Sequence, residues 1–420
     1  MNDCGLKYFS STTPALGGRI KRRIADFKVK EITLEGKALE LKAFNDDSSR
    51  IELEKKFPEK IKGKEQLLLT MEKFNYDTIN SVKIISRKMG LSQKRIGYAG
   101  LKDKRAITVQ KISVWNPEYE KIKSFNSRYI DLRDAEWSSE RIEIGKLKGN
   151  EFEIIIREIN KGREETKEII EKCFNEIQKG IPNYFGEQRF GGIRKISHKA
   201  GKEFLTNGVK EGVMVFLSET NELEEKEISE ARKHLSETLD FKKALNEFPK
   251  KYRHERAILN HLSKYPEDFV NAFRALPKSM CYLFTHAYQS YLFNRIINKR
   301  IEKGIGLEKI KEDELIEGIP SAQLIGFNSK FSEGILGEIE REILEEEEIS
   351  FEDFKVKEMN ELSTKGAVKK IKLIPEKLKL IEVSEDEFNE GKTKAKISFS
   401  LEKGTYATNI LREIIKGSLD

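Results

Sequence analysis

One loop of the sequence combines a carboxylate with several cations in a way that could support catalysis. Asp103 lies between Lys102 and the pair Lys104 and Arg105, in a glycine-punctuated segment, Gly97–Arg105, that is predicted to be a loop. Neighbouring cations favour the ionised form of a carboxyl group. An ionised, positioned aspartate can act as a nucleophile or as a base toward a bound substrate. The opposing interpretation is a turn-forming Asp103 among solvated cations, and composition alone favours that interpretation.

A second segment contains the residue types that would recognise a nucleotide base outside its stack. Between Pro182 and Gly192, Asn183, Phe185 and Arg189 stand among glycines. An extruded base needs an aromatic face, an amide for its Watson–Crick edge and a cation for its phosphate. The same segment could instead be an aromatic-rich loop packed into the core, and composition does not separate the two interpretations.

Short basic groups recur near these two segments, at Lys21–Arg23, Lys94–Arg95, Arg194–Lys195 and Lys369–Lys370. A phosphate backbone favours clustered cations because their binding releases counterions. The 78 Lys and Arg residues exceed the 71 Asp and Glu residues by only seven, giving a net charge of +7. A nucleic-acid surface would therefore be a local patch and not the whole molecule.

The rest of the composition excludes several classes of protein. The three cysteines are far apart and the five histidines form no ligand pair, so neither a disulfide framework nor a metal site is predicted. The P-loop, dinucleotide-binding and nucleophile-elbow motifs are absent, which argues against ATP hydrolysis, hydride transfer and esterase chemistry. No apolar run approaches the ~18 residues of a membrane helix, and no signal peptide is recognised. We expect a cytoplasmic protein without a metal or cofactor.

Regular elements flank the two segments. Their periodicity predicts strands over Gln66–Met71, Ile107–Trp115, Phe152–Ile159 and 394–401, and helices over 77–90, 169–180, Cys281–Arg300 and 406–414. From about residue 195 to 370 the chain becomes rich in Lys and Glu with sparse apolar stripes. The pattern therefore predicts one α+β domain that is interrupted by a long insertion, with the last strand and helix returning to the first half.

Six segments, in this order along the chain, resemble the tRNA pseudouridine synthase D family. They are Asp26–Glu31, Gly100–Gln110, Leu147–Phe152, Pro182–Gly191, Gln289–Asn294 and Gly404–Glu413. The glycine-rich Gly100–Gln110 segment is similar to the nucleophile motif of that family. The middle of the insertion, about 205–275 and 305–360, carries little that matches.

The resemblance implies both a fold and an activity. The fold is α+β, with a mixed, largely antiparallel β-sheet flanked by helices and a large α/β insertion domain that makes the molecule V-shaped. The implied domains are 1–192 (catalytic domain, first part), 193–370 (TRUD insertion domain) and 371–420 (return of the catalytic domain). The activity is isomerisation of a tRNA uridine, typically at position 13, to pseudouridine after base flipping, without cofactor or metal. The implied partner is unmodified tRNA; no membrane or protein partner is expected, and a monomer is sufficient.

The resemblance also implies roles for single residues. Asp103 would be the catalytic nucleophile, and Asn183 would hydrogen-bond the target base. Phe27 and Tyr406 would line the substrate pocket. Phe185 stands where other pseudouridine synthase families carry a tyrosine, and Lys21 corresponds to a basic position near the active site.

Two other functions remain open at this point. The first is an RNA chaperone that uses the same basic surface and catalyses nothing. The second is a hydrolase in which Asp103 serves as a general base, although no partner acid or metal ligand accompanies it. Replacement of Asp103 separates the isomerase from the chaperone, because only the isomerase needs this carboxylate for its activity.

Overall fold

The computed structural model describes residues 4–44 and 49–417. These residues form thirteen strands: β1 (Phe27–Ile32), β2 (Gln66–Phe74), β3 (Ile96–Tyr98), β4 (Ile107–Trp115), β5 (Ile130–Ser138), β6 (Gly149–Ile159), β7 (Ile181–Pro182), β8 (Leu315–Ile316), β9 (Ile319–Leu324), β10 (Ala367–Lys370), β11 (Lys372–Leu373), β12 (Glu376–Glu385) and β13 (Thr393–Glu402). They also form twelve α-helices: α1 (Thr78–Met89), α2 (Tyr119–Lys123), α3 (Arg163–Ile177), α4 (Ser197–Thr206), α5 (Val209–Ser218), α6 (Lys226–Thr238), α7 (Phe241–Glu247), α8 (Arg253–Leu262), α9 (Phe269–Arg274), α10 (Lys278–Glu302), α11 (Gly334–Glu346) and α12 (Ala407–Ile415).

The largest sheet has eight strands in the order β12-β13-β6-β1-β4-β2-β5, with β3 pairing to β4 outside this path. Strand β1 is parallel to β4, and the other pairings of this sheet are antiparallel. Phe27 pairs with Ile154 on one side of β1, and Lys28 pairs with Ile107 on the other. The predicted α+β class with a mixed, largely antiparallel sheet is confirmed.

Helix α1 precedes the Asp103 loop and covers one face of the sheet. Val82, Ile85 and Met89 of this helix are buried in a cluster that also contains strand residues such as Met71. The Asp77 side chain accepts a hydrogen bond from the Asn80 amide at the start of the helix, and Gly90 ends it in the left-handed conformation. The predicted start and end of this helix are confirmed.

Strand β4, which follows the Asp103 loop, has the predicted bounds Ile107–Trp115. Strand β2 continues three residues beyond the predicted Met71, through Glu72, Lys73 and Phe74. The prediction ended it too early because charged residues normally mark the end of a buried strand, whereas here both charged side chains are buried. The prediction that Gly97 and Tyr98 belong to the loop is wrong, since both lie in the short strand β3.

The chain divides into two compact units. One contains Met1–Phe9 and Ile181–Leu373, and the other contains Ser10–Gly180 and Ile374–Asp420. Strand β7 pairs with β11, which ties the first and last residues of the long segment into one small sheet. The unit boundaries therefore differ by several residues from those predicted at 192/193 and 370/371. The assignment of 193–370 to an insertion domain stays a prediction.

The unit that contains Ile181–Leu373 is largely helical, and its long helix α10 lies in the core. Phe284, Tyr288 and Leu292 of this helix are buried, so its aromatic stripe packs the core. Gly201 of α4 faces α10 at a point where a Cβ atom would lie only 2.2 Å from the Phe284 carbonyl oxygen. A glycine there permits the close approach of the two helices.

Membrane-spanning helices and metal-binding clusters were sought within residues 4–44 and 49–417. No helix in these ranges is long and apolar enough to cross a membrane. Nor do the His, Cys, Asp and Glu side chains in these ranges come together in groups of three that could hold a metal ion. Cys4, Cys173 and Cys281 are buried and form no disulfide with one another.

Candidate functional site

The loop between β3 and β4 presents the Asp103 carboxylate to solvent next to a cation. The Asp103 side chain is 43% exposed, and its Oδ1 accepts a hydrogen bond of 3.0 Å from the Lys21 ammonium. The same ammonium lies 4.2 Å from the centre of the Phe27 ring, a distance typical of a cation–π contact. The structure thus brings together three predicted site residues that are up to 82 positions apart in the chain.

A second contact holds the Lys21 segment against the Asp103 loop. The Arg105 guanidinium donates to the backbone carbonyl oxygens of Lys21 and Arg22, at 2.7 and 2.9 Å. Lys21 adopts a left-handed backbone conformation with φ of 55°, which is uncommon for a residue with a side chain. Strain of this kind persists only where surrounding contacts fix the backbone. The clamp by Arg105 is such a contact, and it sets the direction in which the Lys21 side chain leaves the chain.

The residue before the candidate nucleophile points into the interior. Lys102 forms a buried ion pair with Glu31 of β1, with 2.8 Å between Nζ and Oε2. Its backbone N–H donates to the Thr78 hydroxyl, which in turn donates to the Gln110 side chain. The other Glu31 oxygen accepts the backbone N–H of Lys111 in β4. These bonds attach the loop to β1, α1 and β4, and they fix the position of the residue before Asp103.

A buried lysine of β2 forms hydrogen bonds to the backbone of the Asp103 loop. The Lys73 ammonium donates to the backbone carbonyl oxygens of Tyr76 and Asp103, at 2.5 and 2.9 Å, with a longer contact to Lys102. Burial lowers the pKa of Lys73 from 10.5 to about 7, while the charges of Asp103 and Asp77 oppose this shift. Lys73 therefore binds the Asp103 backbone, although burial of its charged amine is unfavourable.

This burial predicts a pH dependence of stability. Between pH 7 and 10 the unfolded chain keeps the Lys73 amine protonated while the folded chain releases the proton, so the unfolded state binds more protons and stability rises with pH. From pH 7 to pH 9 the free energy of unfolding should rise by about 2 kcal/mol in the native protein relative to Lys73→Met. Denaturant unfolding followed by tryptophan fluorescence measures this, because Trp115 and Trp137 lie in the same sheet. A pH-independent difference between the two proteins would contradict the prediction.

Phe27 and Tyr406 differ in their exposure. Phe27 is buried at the start of β1, with its ring edge-on to Phe152 at 6.2 Å between centres. Tyr406 is exposed at the N-terminal cap of α12, directly after the turn that follows β13. Of the two side chains, Tyr406 can thus be reached from solvent, and Phe27 contacts the Lys21 ammonium through its ring.

Backbone contacts relate the Tyr406 turn to the loop of Asp103. The Gly145 N–H donates to the Ala99 carbonyl oxygen at 2.8 Å, at the start of that loop. The Lys403 ammonium, three residues before Tyr406, donates to the Gly145 carbonyl oxygen at 3.0 Å. The turn before Tyr406 and the loop of Asp103 therefore share Gly145 as a neighbour.

Asn183 and Phe185 belong to the other compact unit and follow β7. The Asn183 backbone N–H and side-chain N–H donate to the carbonyl oxygens of Ile371 and Lys370, each at 2.8 Å. Its side-chain oxygen is buried and has no hydrogen-bond partner in the described part of the chain. Because a buried acceptor without a donor is unfavourable, this oxygen is suited to receive an N–H group from a ligand.

The Phe185 ring packs edge-on against Phe293 of α10, with 5.5 Å between ring centres. Its backbone N–H donates to the side-chain oxygen of Asn294. Phe185 is buried, as the core-packing interpretation expects. Its contact with a substrate stays a prediction.

Sequence reasoning did not identify the roles of Glu31, which anchors Lys102, and Lys73, which binds the Asp103 backbone. Glu31 closes one of the recognised segments, but its ion pair joins positions 71 residues apart. The predicted strand ended before Lys73. Its partners are backbone carbonyl oxygens, which every residue type has, so the sequence could not indicate them. The available signal was the pair Glu72 and Lys73 between a largely apolar run and Phe74.

Comparisons with known proteins bear on the family of this chain. The family model of tRNA pseudouridine synthase D (TruD) matches residues 3–318 and 314–414. A Methanosarcina acetivorans protein named "Probable tRNA pseudouridine synthase D" is 36% identical, covering 98% of this chain and 96% of its own. A similarly named Methanocaldococcus jannaschii protein is 35% identical, covering 95% and 96%.

A solved structure supports the same relationship. The crystal structure of a Methanosarcina mazei protein assigned as a tRNA pseudouridine synthase D superposes with a TM-score of 0.79 at 35% identity. The match covers 99% of this chain and 97% of that one. Sequence and fold agree over nearly the whole length, and this chain belongs to the tRNA pseudouridine synthase D family.

Proposed function

We propose that this protein isomerises a uridine of tRNA to pseudouridine, with Asp103 as the nucleophile. The observation that carries the proposal is the half-exposed Asp103 carboxylate, paired with Lys21 at 3.0 Å on a loop anchored by buried bonds. Family membership supplies the reaction, and the anchored carboxylate supplies a group able to perform it. We further propose position 13 of tRNA as the target and a cytoplasmic monomer as the working form.

The reaction conserves all atoms of the nucleotide. The target uridine leaves its stack at a cost of about a few kcal/mol. Asp103 attacks the sugar or the ring, the bond between N1 and C1′ breaks, and the base rotates. A bond then forms between C5 and C1′, and the bond between Asp103 and the substrate breaks, which restores the carboxylate. The proton on C5 is lost, and N1 gains a proton. Product and substrate are isomers, so the reaction needs no group donor from outside the nucleotide.

Each of the other site residues has a proposed task. Asn183 offers its unpartnered side-chain oxygen to an N–H group of the uracil. The exposed Tyr406 ring offers a face for a base, and Phe27 orients the Lys21 ammonium. Lys21 supplies the counter-charge of Asp103 and a cation for the RNA backbone. Phe185 shapes the surroundings of Asn183.

The direct experiment incubates the purified protein with unmodified tRNA transcripts and maps pseudouridine by carbodiimide modification and primer extension. We expect one new stop, directly 3′ of position 13, where the adduct on that nucleotide blocks extension. A transcript carrying cytidine at position 13 is the matched control and should show none. Conversion of a different uridine would contradict the proposed position, and the absence of conversion in all transcripts would contradict the proposed activity.

A further inference from the structure

Lys369 of β10 carries a positive charge that the described part of the chain does not neutralise. Its ammonium lies 4.9 Å from the centre of the Phe185 ring and 5.2 Å from that of Phe293. It donates to the Asn183 carbonyl oxygen at 3.2 Å. None of the ion pairs among the described residues includes it. Burial alone lowers the pKa of Lys369 from 10.5 to about 7.

The neighbouring lysines show that this arrangement is not a general property of the segment. Lys370 pairs with Glu317 at 2.5 Å, and Lys372 pairs with Glu308 at 2.7 Å. Lys369 is the residue before Lys370 on β10, but its ammonium faces two aromatic rings. Cation–π contacts recover only about 2 kcal/mol when desolvated, and a buried charge normally has a charged partner. Lys369 is partly exposed, so an anion that binds from solvent could reach it and act as this partner.

A second cation faces the same ring. The Arg189 guanidinium lies 5.7 Å from the centre of the Phe185 ring and donates to the Ser290 hydroxyl. Burial and the charge of Arg189 lower the pKa of His286 on α10. Two cations, Lys369 and Arg189, therefore face the Phe185 ring, and Lys369 also contacts Asn183.

We propose that Lys369 binds a phosphodiester group of the tRNA, adjacent to the nucleotide that Asn183 contacts. This inference rests on the proposed function and extends it to one RNA contact. A phosphate would supply an anionic partner for Lys369. Lys369 also binds the backbone of Asn183, whose side-chain oxygen has no hydrogen-bond partner among the described residues. Phosphate contacts of this kind fix the register of the RNA without reading its sequence.

Salt dependence of tRNA binding tests the proposal. Loss of one phosphate contact should lower the slope of log affinity against log salt by about 0.7–0.9. We expect this change in Lys369→Met, together with about tenfold weaker binding at low salt, because a charge-assisted hydrogen bond is lost. Lys369→Arg should retain the slope. Lys370→Met is the matched control and should bind as the native protein does, since its charge is paired with Glu317.

The pH dependence of binding gives an independent readout. From pH 8 to pH 7 the protonated fraction of Lys369 rises, so the affinity of the native protein should increase about fivefold. The groups near Lys369 do not reproduce this change: Arg189 stays charged, and the lowered pKa keeps His286 neutral in this range. Lys369→Arg should show no such increase.

The outcomes separate this inference from the proposed function. Unchanged slope and affinity in Lys369→Met would overturn the phosphate contact while uridine conversion by the native protein continued. An increase with falling pH that persists in Lys369→Arg would overturn it as well. Failure of the native protein to convert any uridine would instead contradict the proposed function, whatever the binding data show.

Discussion

Asp103→Asn is expected to eliminate pseudouridine formation, with turnover reduced by at least about a thousandfold. The amide has nearly the shape of the carboxylate but lacks its charge and nucleophilicity. Because the Asp103 side chain is half-exposed and its backbone is held by Lys73, the substitution should leave the loop folded. Single-turnover conversion of tRNA measures the loss, and filter binding should show an affinity within about twofold of native.

Asp134→Asn is the matched control for this substitution. Asp134 lies on β5 of the same unit, its side chain is exposed, and it makes one long contact of 3.6 Å to Arg133. Its backbone φ of 50° is one that asparagine tolerates. Turnover should stay near the native rate. Comparable losses in both variants would mean that a change of surface charge, and not the loss of a nucleophile, explains the Asp103 result.

The same experiment separates the alternative functions. An RNA chaperone would bind tRNA equally well with aspartate or asparagine at position 103 and would convert no uridine in either form. A hydrolase would cleave its substrate, whereas the isomerase returns tRNA of unchanged length. Conversion by Asp103→Asn at the native rate would show that a different residue is the nucleophile.

How far the sequence predicted the site depends on how local each signal is. The Asp103 loop was recognisable because glycines and cations are adjacent in the chain, and β4 was predicted with its observed bounds. The family resemblance placed Lys21 near the active site and Phe27 in the substrate pocket, but it predicted neither the Lys21–Asp103 hydrogen bond nor the Lys21–Phe27 contact. Nothing local connects residue 21 with residue 103, since their hydrogen bond spans 82 positions.

Buried charges account for much of what was missed. Glu72 and Lys73 extend β2 because partners elsewhere satisfy them: Arg133 pairs with Glu72 at 2.8 Å, and backbone carbonyl oxygens receive Lys73. A charged pair at the end of an apolar run ordinarily indicates a surface loop. Strand β7 was not predicted for a different reason: it has only two residues, and its pairing partner β11 lies about 190 residues later.

Lys102→Met is expected to destabilise the unit that contains Asp103 by about 3–5 kcal/mol. The substitution leaves the Glu31 carboxylate buried without its cation, because Lys102 and Glu31 are only 3% and 2% exposed and their charged atoms are 2.8 Å apart. Tryptophan fluorescence during denaturant unfolding reports on this unit, since both tryptophans of the chain lie in its large sheet. Lys30→Met is the control: the Lys30–Glu151 pair on the same strand is partly exposed, and its loss should change stability by no more than about 1 kcal/mol.

The double variant Lys102→Met with Glu31→Gln distinguishes stability from positioning. Glutamine is neutral and can still accept the Lys111 N–H that Glu31 accepts, so most of the lost stability should return. Turnover should remain reduced, because the bond that ties residue 102 to β1 is absent and misplacement of a catalytic group by about 1 Å can lower a rate about a hundredfold. If turnover recovered together with stability, the ion pair would serve folding alone, and the Thr78 and Lys73 contacts would be sufficient to position Asp103.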